Sequence, residues 1–159
     1  NRSFIILGQI LEAVVCTFFE VGIMAIISLL FSAKVFGGFT NTLIIFSLIF
    51  LTAFFMACIS YGVSLILPNE MMYETVMNAI VLPIFFLSSA LFPLDKISGI
   101  LKVIINLNPF THVINSIRSI LVTGTFKTIE IYGSISLLCL LCLVGFIFAN
   151  RQLTKEMDL

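Results

Sequence analysis

Charge is what this chain has least of. Only 10% of its 159 residues are charged, and eight Lys+Arg balance eight Asp+Glu, so the net charge gives no sign of nucleic acid or of an acidic macromolecular partner. One histidine and four cysteines complete the set of metal-capable side chains. Cys16, Cys58, Cys139 and Cys142 all fall inside apolar runs, where cysteine acts as a small hydrophobe. The Cys139/Cys142 spacing lacks polar neighbours and a second ligand pair, which argues against redox or metal chemistry. His112 has no Cys or carboxylate at ligand spacing and reads as an interfacial packing residue. No glycine-rich phosphate loop is present, so any ATP hydrolysis belongs to another chain. Paired carboxylates converging with histidine at one depth, as a membrane-embedded enzyme would need, are also missing.

What is abundant is apolar surface. Hydrophobic residues make up 60% of the chain and the mean hydropathy is +1.22, which places it among all-α integral membrane proteins. A spanning helix needs about 20 apolar residues. Four runs meet or approach that length: 4–31, 43–67, 76–92 and 131–149. The third is short and contains Asn78 and Pro83, so it should lean on neighbours and break near the proline.

Between the third and fourth runs lie two apolar segments too short to cross, 94–107 and 110–122. They predict a re-entrant helical hairpin over 94–122 within a single transmembrane domain, 1–159. Asn108 suits an N-cap and Pro109 the first helical position, so a helix should begin at Pro109. Phe110, Val113, Ile114, Ile117 and Leu121 then recur at helical spacing. Asp95 is the candidate cap of the first arm, with Ile97, Ile100, Leu101, Ile104 and Ile105 as its buried stripe.

These residues carry a resemblance. Pro83, Phe92-Pro93-Leu94, Asn108-Pro109-Phe110-Thr111-His112 and Arg118 follow in the order and spacing of the closing part of type 2 ABC transporter permeases, and Arg2 to Gln9 looks like that family's entry into its third spanning helix. His112 stands where Tyr is common, Asn115 where Asp is frequent, and Ser98-Gly99 replaces the usual Pro and Trp. The resemblance implies the family's third to sixth spanning helices, with the first two and a cytoplasmic interfacial helix outside this sequence. It further implies a homo- or heterodimer of permease subunits in the cell membrane, each docked on a separate cytoplasmic ATP-binding subunit that holds ATP and Mg; this chain would bind no cofactor and perform no catalysis. An exporter of a drug, antibiotic, lipid-linked or other amphiphilic compound is the leading expectation. A polysaccharide or teichoic-acid exporter and a non-transporting assembly protein are the alternatives.

Four crossings put both ends on one side, and Arg151 and Lys155 favour a cytoplasmic C-terminus. Lys34, Lys96, Lys102, Arg118 and Lys127 then lie on the other side, against the positive-inside rule, and the resemblance decides the orientation. By the same resemblance, Arg2, Glu70 and Glu74 face the ATPase, and Phe92, Pro93, Asn108, Pro109, His112 and Arg118 form an extracellular gate.

Gln9, Glu12, Cys16 and Glu20 share an arc of ~80° on a helix turning ~100° per residue. A carboxylate at membrane depth costs on the order of 2.5–3.5 kcal/mol, so this stripe reads either as a substrate path or coupling contact, or as carboxylates held at the interface and between helices. Arg118 reads as an anchor to Glu20, Asp95 or lipid phosphate, or as a substrate contact. The seventeen phenylalanines either line a pocket for a flat apolar substrate or pack against lipid and core. Ser60-Tyr61 with Ser64, and Ser88-Ser89-Ala90, are patches that permit close helix approach.

Overall fold

A computed structural model describes residues 2–31, 38–91, 98–123 and 128–157. These form six helices: α1 (Arg2–Leu30), α2 (Phe39–Ser64), α3 (Glu70–Phe86), α4 (Ile100–Leu107), α5 (Pro109–Thr123) and α6 (Thr128–Met157). No strand occurs among the described residues. Three helices are long and apolar enough to cross a membrane, over Phe4–Leu30, Phe39–Ser64 and Ile131–Lys155. The third apolar run becomes α3, whose 17 residues reach ~25 Å at 1.5 Å each, short of the ~30 Å hydrocarbon core.

The bundle is inverted relative to a water-soluble one. Phe19, Leu30, Phe39 and Leu143 are exposed, while the interior is built where small residues let helices approach. The α2–α6 contact shows how close that approach is. A Cβ on Gly62 would overlap the Phe148 ring, and one on Gly145 would sit 3.1 Å from the Cys58 Cβ. Around this contact Ile6, Ile10 and Val14 of α1 pack on Ala57, Cys58, Ala149 and Leu153. A second cluster joins Leu48, Val113 and Leu138 of α2, α5 and α6.

Several hydroxyls inside the apolar helices are satisfied within their own turns. Thr17, Ser47, Thr52 and Thr75 each donate to the carbonyl four residues back, at 2.7–3.0 Å. Cys142 Sγ donates to the Leu51 carbonyl at 3.2 Å, tying α6 to α2. Phenylalanines stack in a row across three helices, Phe18 with Phe46 and Phe50, Phe50 with Phe54, and Phe54 with Phe146, at centroid distances of 5.4–6.5 Å. These four pairings are interhelical or intrahelical packing; Phe85 and Phe86 pair edge-on at 6.0 Å and, like Phe46 and Phe50, are exposed.

Two departures from the sequence expectation concern α4 and α3. Helix α4 begins at Ile100, where Gly99 at φ +76° adopts a left-handed conformation that marks its start. Asp95 and Ile97 lie outside the described residues. Of the expected buried stripe only Ile105 is covered, whereas Ile100, Leu101 and Ile104 are exposed, since α4 packs chiefly on α5. The second departure is at Pro83. Helix α3 runs through it and stops one turn later at Phe86, so the expected break is a helix end.

A candidate gate at the junction of α3 and α5

Helix α3 starts cleanly, with Asn69 Oδ1 accepting from the Met72 N–H at 2.9 Å. Its other end needs more help. The Leu87 N–H bonds the Pro83 carbonyl at 2.9 Å and the Ser88 N–H the Phe85 carbonyl at 3.2 Å, while Ser88 Oγ donates to that same carbonyl at 2.6 Å. The carbonyls of Ile84 and Leu87 are met from elsewhere: Asn108 Nδ2 donates to both, at 2.6 and 2.9 Å. On its opposite side Asn108 Oδ1 accepts the Phe110 N–H at 3.0 Å. One amide thus caps the end of α3 and the beginning of α5, and Pro109 holds the first helical position as its sequence predicts.

Around this amide the two segments are bonded repeatedly. Thr111 Oγ1 accepts the Ser89 N–H at 3.3 Å, Ser89 Oγ donates to the Thr111 carbonyl at 3.4 Å, and Arg118 Nη2 donates to the Ser89 carbonyl at 3.1 Å. Ser88, Ser89 and Thr111 are fully buried. His112 Nε2 bonds the Asn106 carbonyl at 2.9 Å and so braces α4 against α5. On the far side of α5, Ser116 and Ser134 pair through their hydroxyls at 3.1 Å.

The joint lies within the bundle rather than at its rim. Val113, one turn into α5, packs on Leu48, which is nine residues (39 to 48), or ~14 Å, from the Phe39 end of α2. Irregular backbone at membrane depth is tolerated only where its polar groups are satisfied by protein or by a water-filled cavity. The Asn108 bonds meet that requirement for the Ile84 and Leu87 carbonyls, and Thr111 meets it for the Ser89 N–H.

A sequence profile of the ABC-2 type transporter family matches residues 1–122, more than half of the chain. The chain belongs to that family. The Cyanophora paradoxa protein that carries the name of a transport permease, ycf38, is 31% identical over 126 residues, covering 72% of this chain and 43% of that protein. This permease chain therefore spans under half the length of that relative. No solved structure matches it.

Within this ABC-2 chain the expected site residues divide into separate groups. Asn108, Pro109, His112 and Arg118 come together at the joint, while Phe92 and Pro93 lie outside the described residues. Arg118 bonds the Ser89 carbonyl, so its described partner is none of the three expected anions. Gln9, Glu12, Cys16 and Glu20 form an exposed stripe on α1, away from the face that buries Ile6, Ile10 and Val14. Glu70 and Glu74 are exposed in the first turns of α3, where a helix N-terminus favours acidic groups. Arg2 begins α1. Ser89, Thr111 and the Ser116–Ser134 pair are members that spacing rules did not single out. Ser89 was signalled in advance by the small-polar patch at 88–90 and Thr111 by its place in the Asn108–His112 motif, whereas the Ser116–Ser134 pair had no such signal.

Proposed function

We propose that this chain is the membrane-embedded subunit of an ATP-driven exporter, moving a drug, antibiotic, lipid-linked or other amphiphilic compound out across the cytoplasmic membrane. Membership of the ABC-2 family over residues 1–122 is the observation that carries the reading. The joint around Asn108 supports the mechanical part of it. Helix α3 serves as a fourth, short crossing, and 94–122 is a re-entrant hairpin whose arms α4 and α5 meet at Asn108 and close the outer side. The C-terminus is cytoplasmic.

On this reading Arg2, Glu70 and Glu74 face a separate ATP-binding subunit that holds ATP and Mg, and catalysis is confined to that subunit. Two permease subunits form the transport unit. Binding and hydrolysis of ATP displace the start of α3, and because its end is bonded to α5, the displacement reaches the hairpin. Gln9, Glu12 and Glu20 line or couple the substrate path.

Affinity purification of the full-length protein from its native membranes, followed by inside-out vesicle assays, tests this. A co-purifying chain with a Walker A loop and ATP-dependent uptake of amphiphilic dyes are expected. Failure to recover any ATP-binding chain would sink the exporter reading in favour of a non-transporting assembly role. Uptake of polysaccharide precursors but not of dyes would redirect the substrate class.

A further inference from the structure

Two hollows meet between α1, α2 and α5. The larger, of 490 Å³, is lined by Ala13 and Thr17 of α1, Met56 and Ser60 of α2, Met77 of α3 and Phe110 of α5. The smaller, of 320 Å³, is lined by Phe18 and Met24 of α1, Thr42 and Phe46 of α2, and Leu121 of α5. Ile49 and Ile117 line both, so the two form one groove. Glu20 stands beside their junction. It follows Thr17 by three residues and precedes Met24 by four, so it shares a side of α1 with one residue of each hollow. We infer that this groove binds a lipophilic cation whose charge lies in the middle of its apolar body, with Glu20 as the counter-charge.

The walls select the body. Thr17 and Thr52 donate to the carbonyls of Ala13 and Leu48 at 3.0 and 2.7 Å, so neither offers a proton to an anion. Met56, Met77 and Phe110 present thioethers and a ring that pack on apolar or aromatic surfaces. A volume of 490 Å³ falls within the range of ~300–1,000 Å³ that small-molecule sites occupy. Ala13 and Phe46 are exposed, so a molecule dissolved in the bilayer can enter from the side.

Depth selects the charge. Glu20 is sixteen residues (4 to 20), or ~24 Å, from one end of its apolar span and ten (20 to 30), or ~15 Å, from the other. A carboxylate there is driven towards a cation, protein or water, because hydrocarbon does not solvate it, and the exposed Glu20 side chain is open to such a partner. Position along the groove selects the kind of cation. Apolar wall lies on both sides of Glu20 along α1, at Ala13 and at Met24. A head-and-tail detergent would leave one hollow unfilled, whereas a charge wrapped in apolar groups fills both. As a substrate site the groove rests on the exporter reading, but binding is measurable without ATP whichever way that reading falls.

The test is equilibrium binding of tetraphenylphosphonium to the full-length protein in phosphatidylcholine nanodiscs, without nucleotide and with empty nanodiscs subtracted. Tetraphenylborate, of the same shape and opposite charge, is the comparator. Saturable binding of the cation and none of the borate are expected. Glu20→Gln should weaken phosphonium binding about ten-fold, as for unit charges ~12 Å apart at an effective dielectric constant of ~20, whereas Glu12→Gln, ~80° further round α1, should change it far less. Glu20→Asp should retain binding. Equal saturable binding of both ions, or wild-type affinity in Glu20→Gln, would overturn the site. Cross-linking of Ala13→Cys to another protein segment, with no saturable binding of the cation, would show that protein covers the groove instead. Saturable, Glu20-dependent binding without ATP-dependent uptake would uphold the site and remove only its part in transport.

Discussion

Asn108 lies 24 residues beyond Ile84, yet its amide nitrogen is 2.6 Å from the Ile84 carbonyl oxygen. The two ends of that bond belong to helix α3 and to the cap of α5, so it measures whether the two helices move together. Asn108→Ala removes the donor to two carbonyls and the α5 N-cap at once. An N-cap contributes about 1 kcal/mol and an interhelical bond in a membrane about 0.6 kcal/mol, so a loss of about 2 kcal/mol is expected. Transport should fall more steeply than protein level. Asn108→Asp keeps the acceptor for Phe110 and loses the donors, so retention of full transport by that variant would show that the α3 bonds are dispensable.

The serine pair between α5 and α6 gives a cleaner measurement. Ser116→Ala and Ser134→Ala, alone and combined, should couple by about 0.6 kcal/mol in a double-mutant cycle of unfolding in detergent. Additive effects would show that the 3.1 Å contact contributes nothing to stability.

Close approach of α2 and α6 predicts strongly position-dependent tolerance at glycine. Gly62→Leu meets the Phe148 ring and Ala149 and should cost at least about 1–3 kcal/mol, seen as loss of a monodisperse peak on size exclusion. Gly8→Ala and Gly22→Ala meet nothing within 4 Å and should leave that peak unchanged.

Exposure separates the four thiols. A membrane-permeant maleimide should label Cys16 and Cys139 faster than Cys58 and Cys142 in the native protein, and all four at similar rates after denaturation. Rapid native labelling of Cys58 would contradict the α1–α2–α6 packing.

Charge reversal at Glu20 should impair transport more than insertion, because the residue sits on an exposed stripe rather than in the packed face of α1. The check is membrane level and vesicle uptake measured on the same preparation of Glu20→Lys. Equal loss of both would assign the carboxylate to packing.

Local rules made part of this structure legible in advance. Asn108 and Pro109 announced a helix start because capping and proline act within one turn, and α5 begins where they placed it. The same residues gave no hint that the Asn108 amide would also end α3, since a bond across 24 residues leaves no periodic trace. The patch at 60–64 was readable as a place of close approach, but the contact is made by Gly62, a residue with no side chain to advertise it. On the expected first arm, apolar spacing gave no sign of the left-handed turn at Gly99 after which α4 begins, and 94–97 lie outside the described residues. On α1, spacing revealed the polar stripe without revealing what it meets.

Helix α3 buries no residue along its length. It is fastened near its start by Ser60 and Tyr73, whose hydroxyls lie 2.5 Å apart, and at its end by Asn108. The stretch between these points can therefore diverge freely during evolution. Drift at 78–82, clear of Glu74 and of Met77 beside α1 and α2, would reshape one wall of the molecule with no compensating change in α6, making this helix the place where a lineage of such proteins can acquire new preferences while keeping an old scaffold.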